Sequence, residues 1–220
     1  MDKIERKKLG DDVVRRLRKA ILLGDLSHGE HLAEPVLAAK FGTSRGPIRD
    51  ALQLLIREGF VERHSNGRVV VKGIGIDDIS NLYDVRLLLE TYSIRQWAER
   101  GADSDLQPLK HCLVRMKASP LPAAEFSMID MEYHEQLVRL IHNKSLLQSW
   151  LGLKDVVHSI LEITNQSYLR GDDILQMHQG IYEALDRRDI EEAVRLLAEH
   201  LNEGKNMMCS VVSKLIEQKP

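Results

Sequence analysis

Four side chains in the C-terminal half have the types and the spacing to hold a metal ion. The stretch SMIDMEYHEQL puts Asp130 and His134 at i and i+4, on one face of one helix. Further on, DDILQMHQGIYEALDRRDIEEAVRLLAEHLNEG carries His178 ten residues before a turn centred near Arg188, and His200 twelve after it. At ~1.5 Å of rise per residue both stand roughly 15–18 Å from that turn, at similar height on two antiparallel helices. One carboxylate and three imidazoles inside a bundle suit Zn²⁺, Ni²⁺, Mn²⁺ or a similar borderline ion. Singly, each has a plainer explanation: D-x3-H is commonly an i,i+4 hydrogen bond, and a lone histidine is commonly a core or surface group. Together the four could share one ion. His111, His142 and His158 have no comparable arrangement and read as structural.

A second chemistry is offered by TSRGPIRDAL, residues 43–52, where Arg45 and Arg49 sit one helical turn apart. An arginine fork matches O6 and N7 of guanine, so two of them can read or clamp neighbouring base pairs. In isolation R-x3-R is usually a solvated surface pair, so the reading depends on the elements around it. A helix over 11–23 carries Val13, Val14, Leu17, Ala20 and Ile21 on one side and stops at Gly24. A second helix starts near Glu34, placed to accept from free N–H groups, with Pro35 at the first helical position and Gly42 as the stop. After Thr43 and Ser44 a third helix covers 45–58, with Ser44 as N-cap and Pro47 in the first turn, where a missing N–H costs nothing. Ile48, Ala51, Leu52 and Leu55 form its buried stripe, leaving Arg45, Arg49 and Gln53 on an exposed face. Two short β runs then flank Asn66-Gly67, the pair preferred in a type I′ hairpin, with Arg68 beside it. Helix, helix, short turn, helix, hairpin is the order of a winged helix-turn-helix, which places the third helix in a major groove and the wing on an adjacent groove or the backbone.

Residues 73–77 read as a short linker, and everything beyond reads as helical: 77–101, 103–118, 122–142, 144–169, 172–187 and 189–217, an antiparallel bundle. The fold class is thus mainly α, with domains at 1–72 and 78–220. Met128, Met131, Met177, Met207 and Met208 read as core filler. Net charge is −2, but residues 1–72 hold 15 Lys and Arg against 10 Asp and Glu, and the remainder 16 against 23. That split points to a polyanion partner for the first domain alone. The chain has no transmembrane segment or signal peptide, and its cysteines, Cys112 and Cys209, read as reduced thiols, all of which point to the cytoplasm. A metal-dependent hydrolase is the rival class, but no H-E-x-x-H, G-x-S-x-G or P-loop is present, so an enzyme is not expected.

The stretch LAEPVLAAKFGTSRGPIRDALQLLIREGFV resembles the DNA-binding domain of GntR-type bacterial repressors. Ile48, Asp50 and Phe60 are mild departures from its Val, Glu and Leu, and Pro35 replaces a polar residue common after Glu34, which alters a phosphate contact. The helical remainder resembles the effector-binding FCD domain of the FadR subfamily, with the six-helix count of its VanR-like group; the likeness runs from about Leu9 to Ser213. It implies a homodimer on an inverted-repeat operator with GT…AC-type half-sites a few base pairs apart. It also implies that Asp130, His134, His178 and His200 match the Asp-His-His-His pattern of metal-containing FCD domains. VRLLLE matches their Arg-x3-Glu, with Arg86 either in an i,i+4 surface pair with Glu90 or in a buried pair that helps hold an anionic effector. The expected function is a transcription regulator, a repressor, controlled by a small organic acid bound at open metal positions, with a metal sensor as the alternative.

Overall fold

The computed structural model describes residues 3–100, 105–118, 121–165 and 171–217. It divides into two compact units, one of residues 1–76 with 212–220, the other of 77–211. The first contains α1 (Lys3–Leu23), α2 (Glu34–Lys40), α3 (Arg45–Arg57), β1 (Val61–Arg63) and β2 (Val69–Val71). Helix α1 begins eight residues before the expected 11, because apolar period detects only its packed part, and the charged run before it consists of good helix formers. Val13, Leu17, Ile48, Leu52, Leu55 and Phe60 make the core between α1 and α3, each at most 2% exposed. Arg18 closes it with a two-bond pair to Glu58, at 2.7 and 2.5 Å.

Three local expectations are corrected. Ser44 does sit at the N-cap of α3, with extended backbone, but its side chain makes no capping bond. The N3 residue there is Pro47, which has no N–H to donate, so the usual partner of an N-cap oxygen is missing. Glu34 is not a cap either: Ala33 is the N-cap of α2, and the Glu34 carboxylate is taken by Arg49. The wing is not a type I′ hairpin. Asn66 keeps a negative φ, and the strands, in register Arg63↔Val69, are joined through His64 and Arg68 around a three-residue loop. Gly67 alone takes the left-handed conformation (φ 82°), and its N–H returns to the carbonyl of His64, as in a type I turn followed by a bulge. The Asn66 amide oxygen accepts from the Arg68 N–H, a turn that needs no positive φ at Asn66.

The helices that follow form the bundle, α4 (Ile76–Glu99), α5 (Gln107–Met116), α6 (Ala123–Arg139), α7 (Lys144–Asn165), α8 (Gly171–Asp186) and α9 (Ile190–Glu217), of which residues 77–211 make the second unit. Six helices were expected and six are found among the described residues; the expected ends at 101, 103 and 169 and the break at Gly101 lie outside them. Between α6 and α7, Asn143 accepts from the Leu146 N–H and caps the new helix. Between α8 and α9, Arg188 takes the left-handed conformation (φ 59°), lays its guanidinium 4.1 Å from the Trp97 ring centre, and hands over to Asp189, which caps α9 through the Glu192 N–H. That tight turn sets the register between the two helices that carry His178 and His200. Trp97, Trp150, Tyr133, Ile94 and Leu137 centre the core. Met131 and Met208 are core residues as expected, but Met128 is 53% exposed, and Met177 and Met207 line a cavity. Both cysteines are unbridged, Cys112 buried and Cys209 partly so. Among the described residues no helix is long and apolar enough to cross a membrane.

Candidate functional site

The bundle brings Asp130, His134, His178 and His200 together, with one ligand atom from each all within 4.8 Å of one another. Asp130 and His134 lie on the buried face of α6, His178 on that of α8, and His200 on α9. The three Nε2 atoms point at one another: His134 to His200 at 3.1 Å, His134 to His178 at 3.3 Å, with the Asp130 carboxylate 3.3 Å from His178. Two nitrogens each bound to one ion at ~2.0–2.1 Å stand roughly 3.0–3.4 Å apart, so the spacing suits a shared cation.

The protonation pattern points the same way. His134 Nδ1 donates to the Glu90 carboxylate at 2.7 Å, which turns its Nε2 towards the other two imidazoles. Burial first, then the other imidazoles and Arg86, hold His178 well below the usual histidine range; burial, His134 and Arg86 do the same for His200. Both rings are therefore neutral near pH 7. Burial pushes the Asp130 carboxyl up, against the pull of His134 and Arg86. The Nδ1 of His178 is buried with no hydrogen-bond partner. Neutral imidazoles and a carboxylate thus face one another in a buried layer, an arrangement that a divalent cation would satisfy. The Tyr133 hydroxyl donates to the carbonyl of His178 at 2.9 Å and its ring packs on the imidazole, fixing the ring's position.

Glu90 is the residue that sequence reading undervalued. It is fully buried and accepts from His134, from Arg86 Nε at 3.1 Å and from Trp150 Nε1 at 3.1 Å. Burial pushes its carboxyl up, but His134, Arg86 and Trp150 outweigh that and bring it down to about 2. The Arg86–Glu90 pair is therefore buried, not a surface pair, with Arg86 only 2% exposed. Arg86 Nη2 is buried and has no hydrogen-bond partner, while the guanidinium carbon lies 5.0 Å from the Tyr83 ring centre. A cavity of about 460 Å³ opens over this layer, lined on the buried side by Arg86, Asp130 and His134 and on the exposed side by Asp173, Asn206 and Ser210. His158 stands outside the cluster.

In the first unit Arg45, Arg49 and Gln53 lie exposed along α3, as their spacing requires, and Ser44 is exposed at its start. Asn66, Gly67 and Arg68 are exposed at the tip of the wing.

Residues 9–71 match the family of bacterial regulatory proteins named for GntR, and residues 81–203 match the FCD domain. The gluconate operon transcriptional repressor of Bacillus licheniformis is 31% identical over 207 residues, covering 91% of this chain and 85% of that protein. The transcriptional repressor NanR of Cronobacter sakazakii is 28% identical over 227 residues, covering 90% and 85%. Among solved structures, that of Lar, which controls the agr system of Listeria monocytogenes, aligns with a TM-score of 0.71 at 23% identity over 90% of this chain and 95% of its own.

Proposed function

Because this chain belongs to the GntR family of bacterial regulatory proteins, DNA-binding transcription regulators, and carries an FCD domain, we propose that it is a homodimeric repressor whose operator affinity is set by a small carboxylate held at a divalent metal. The names of the relatives support repression. The observation that carries the effector reading is the unpartnered Nη2 of Arg86, buried beside the cavity that Asp130, His134 and His200 also line. A carboxylate there would satisfy that donor by a charge-assisted bond while filling open positions on a five- or six-coordinate ion, which Ni²⁺ or Mn²⁺ permit more readily than Zn²⁺. Asp173, Asn206 and Ser210 opposite offer partners to hydroxyl groups, so a hydroxylated acid such as gluconate, the compound in a relative's name, is the first one to test. Binding can shift the dimer only if the ligand prefers one of its two geometries.

On DNA, α3 enters the major groove of each half of an inverted repeat, in the cytoplasm. Arg45, Arg49 and Gln53 face the bases; Ser44 and the wing residues Asn66, Gly67 and Arg68 face the backbone. Arg49→Ala is expected to weaken binding to a duplex selected from a random pool by ~1–3 kcal/mol and to relax preference at one guanine per half-site. Full discrimination by that variant would reduce Arg49 to a bystander.

A further inference from the structure

The guanidinium of Arg49 is already held before any DNA arrives. Its Nε donates to Oε1 of Glu34 at 3.2 Å and its Nη2 to Oε2 at 3.0 Å, a side-on pairing that ties α3 to the first residue of α2. Arg49 holds the Glu34 carboxyl below its usual range, with Arg63 and Arg45 adding to the pull, so the carboxylate is ionised among three guanidiniums. The pair is open to solvent, with 60% of the Arg49 side chain and 26% of the Glu34 side chain exposed. An exposed ion pair contributes little to stability. What it does fix is direction.

A guanidinium presents its five N–H groups along distinct edges. Glu34 occupies the Nε–Nη2 edge. The end formed by Nη1 and the outer N–H of Nη2 is left with two parallel donors, a fork that fits guanine O6 and N7. The same carboxylate repels a phosphate brought near it, so it disfavours the sequence-independent contact that a loose arginine would make. Pro35 follows at the next position and has no N–H, which removes one backbone donor to phosphate from the start of α2.

We infer that Glu34 is a positioning and specificity-determining residue for DNA recognition, turning Arg49 end-on to a guanine and denying it to the phosphate backbone. The inference rests on the proposal that Arg49 reads a base. The test compares full-length wild type, Glu34→Gln, Glu34→Asp and Arg49→Ala on three duplexes: one selected from a random pool by the wild type, the same duplex with the guanine replaced, and a non-cognate sequence. Glu34→Gln is expected to lose at least about 5-fold in discrimination at the guanine, to bind non-cognate duplex about 3- to 10-fold more tightly, and to steepen the salt dependence by about one phosphate contact. Glu34→Asp, which keeps the charge and shortens the reach, is expected to lose discrimination without tightening on non-cognate DNA. If both Glu34 variants keep the discrimination that Arg49→Ala loses, the inference is overturned while the role of Arg49 stands. If Arg49→Ala itself keeps it, the base-reading role fails first and the inference with it.

Discussion

The wild type is expected to carry about one divalent ion per chain, as a single four-ligand site implies, and purified His178→Ala and His134→Ala proteins are expected to lack it. Each histidine supplies an Nε2 to the cluster, His178 fully buried and His134 1% exposed, so its loss removes one of the three imidazoles there. Binding to the folded state alone adds ~2.7 kcal/mol when free metal is 100 times Kd and ~4.1 kcal/mol at 1,000 times. At about 2–4 °C per kcal/mol for a chain of this size, the loss is a fall in Tm of roughly 5–15 °C. A chelator should lower the wild-type Tm by a similar amount and leave the variants unmoved, which separates metal loss from simple loss of packing. Glu90→Gln should fall between, with metal bound ~10- to 100-fold more weakly, because a carboxylate that orients a ligating imidazole is lost. Elemental analysis finding metal unchanged in both histidine variants would remove the cluster as a metal site.

The second large effect is expected at Arg86. Truncation to alanine would strand Glu90 as a buried charge, a loss of ~3–5 kcal/mol, so lysine is the informative replacement. Arg86→Lys keeps the charge beside Glu90 but loses the planar fork and with it the free Nη2. It should retain metal and bind operator as the wild type does, while its response to small organic acids, gluconate first, weakens at least tenfold, a difference of ~1.4 kcal/mol. Thermal shift and operator binding measured side by side decide it. An acid that stabilises the wild type and Arg86→Lys equally takes Arg86 out of the ligand's contacts.

The chemistry of this chain is carried by spacings that survive any packing. Asp130 and His134 share a helix face wherever that helix lies, and His178 and His200 are nearly equidistant from a turn that Arg188 and Asp189 do make tight. The helix-turn-helix is likewise local: Gly42 takes the positive φ that ends α2, and Ser44 with Pro47 opens α3. What spacing does not carry is which side chains meet across helices. Glu90 and Arg86 read as an i,i+4 pair on any helix, and only the arrival of His134 and Trp150 from α6 and α7 turns Glu90 into the carboxylate that holds the His134 ring. Glu34 had two candidate partners, its own helix start and a guanidinium fifteen residues on, and the ion pair won. The type of the wing turn was misread because Asn66-Gly67 serves two hairpin geometries, and the three-residue loop between His64 and Arg68 decides between them.

Whether a carboxylate acts on DNA binding through the metal is decided by titrating operator affinity with gluconate and a panel of small organic acids on metal-loaded and metal-stripped protein in parallel. At least one acid is expected to change operator affinity by roughly 5- to 150-fold in the loaded protein, the range of a coupling of ~1–3 kcal/mol, and to leave the stripped protein unchanged. An acid that binds at the metal without moving operator affinity, or the same shift with the metal gone, would contradict it; affinity that follows metal concentration alone would make the chain a metal sensor.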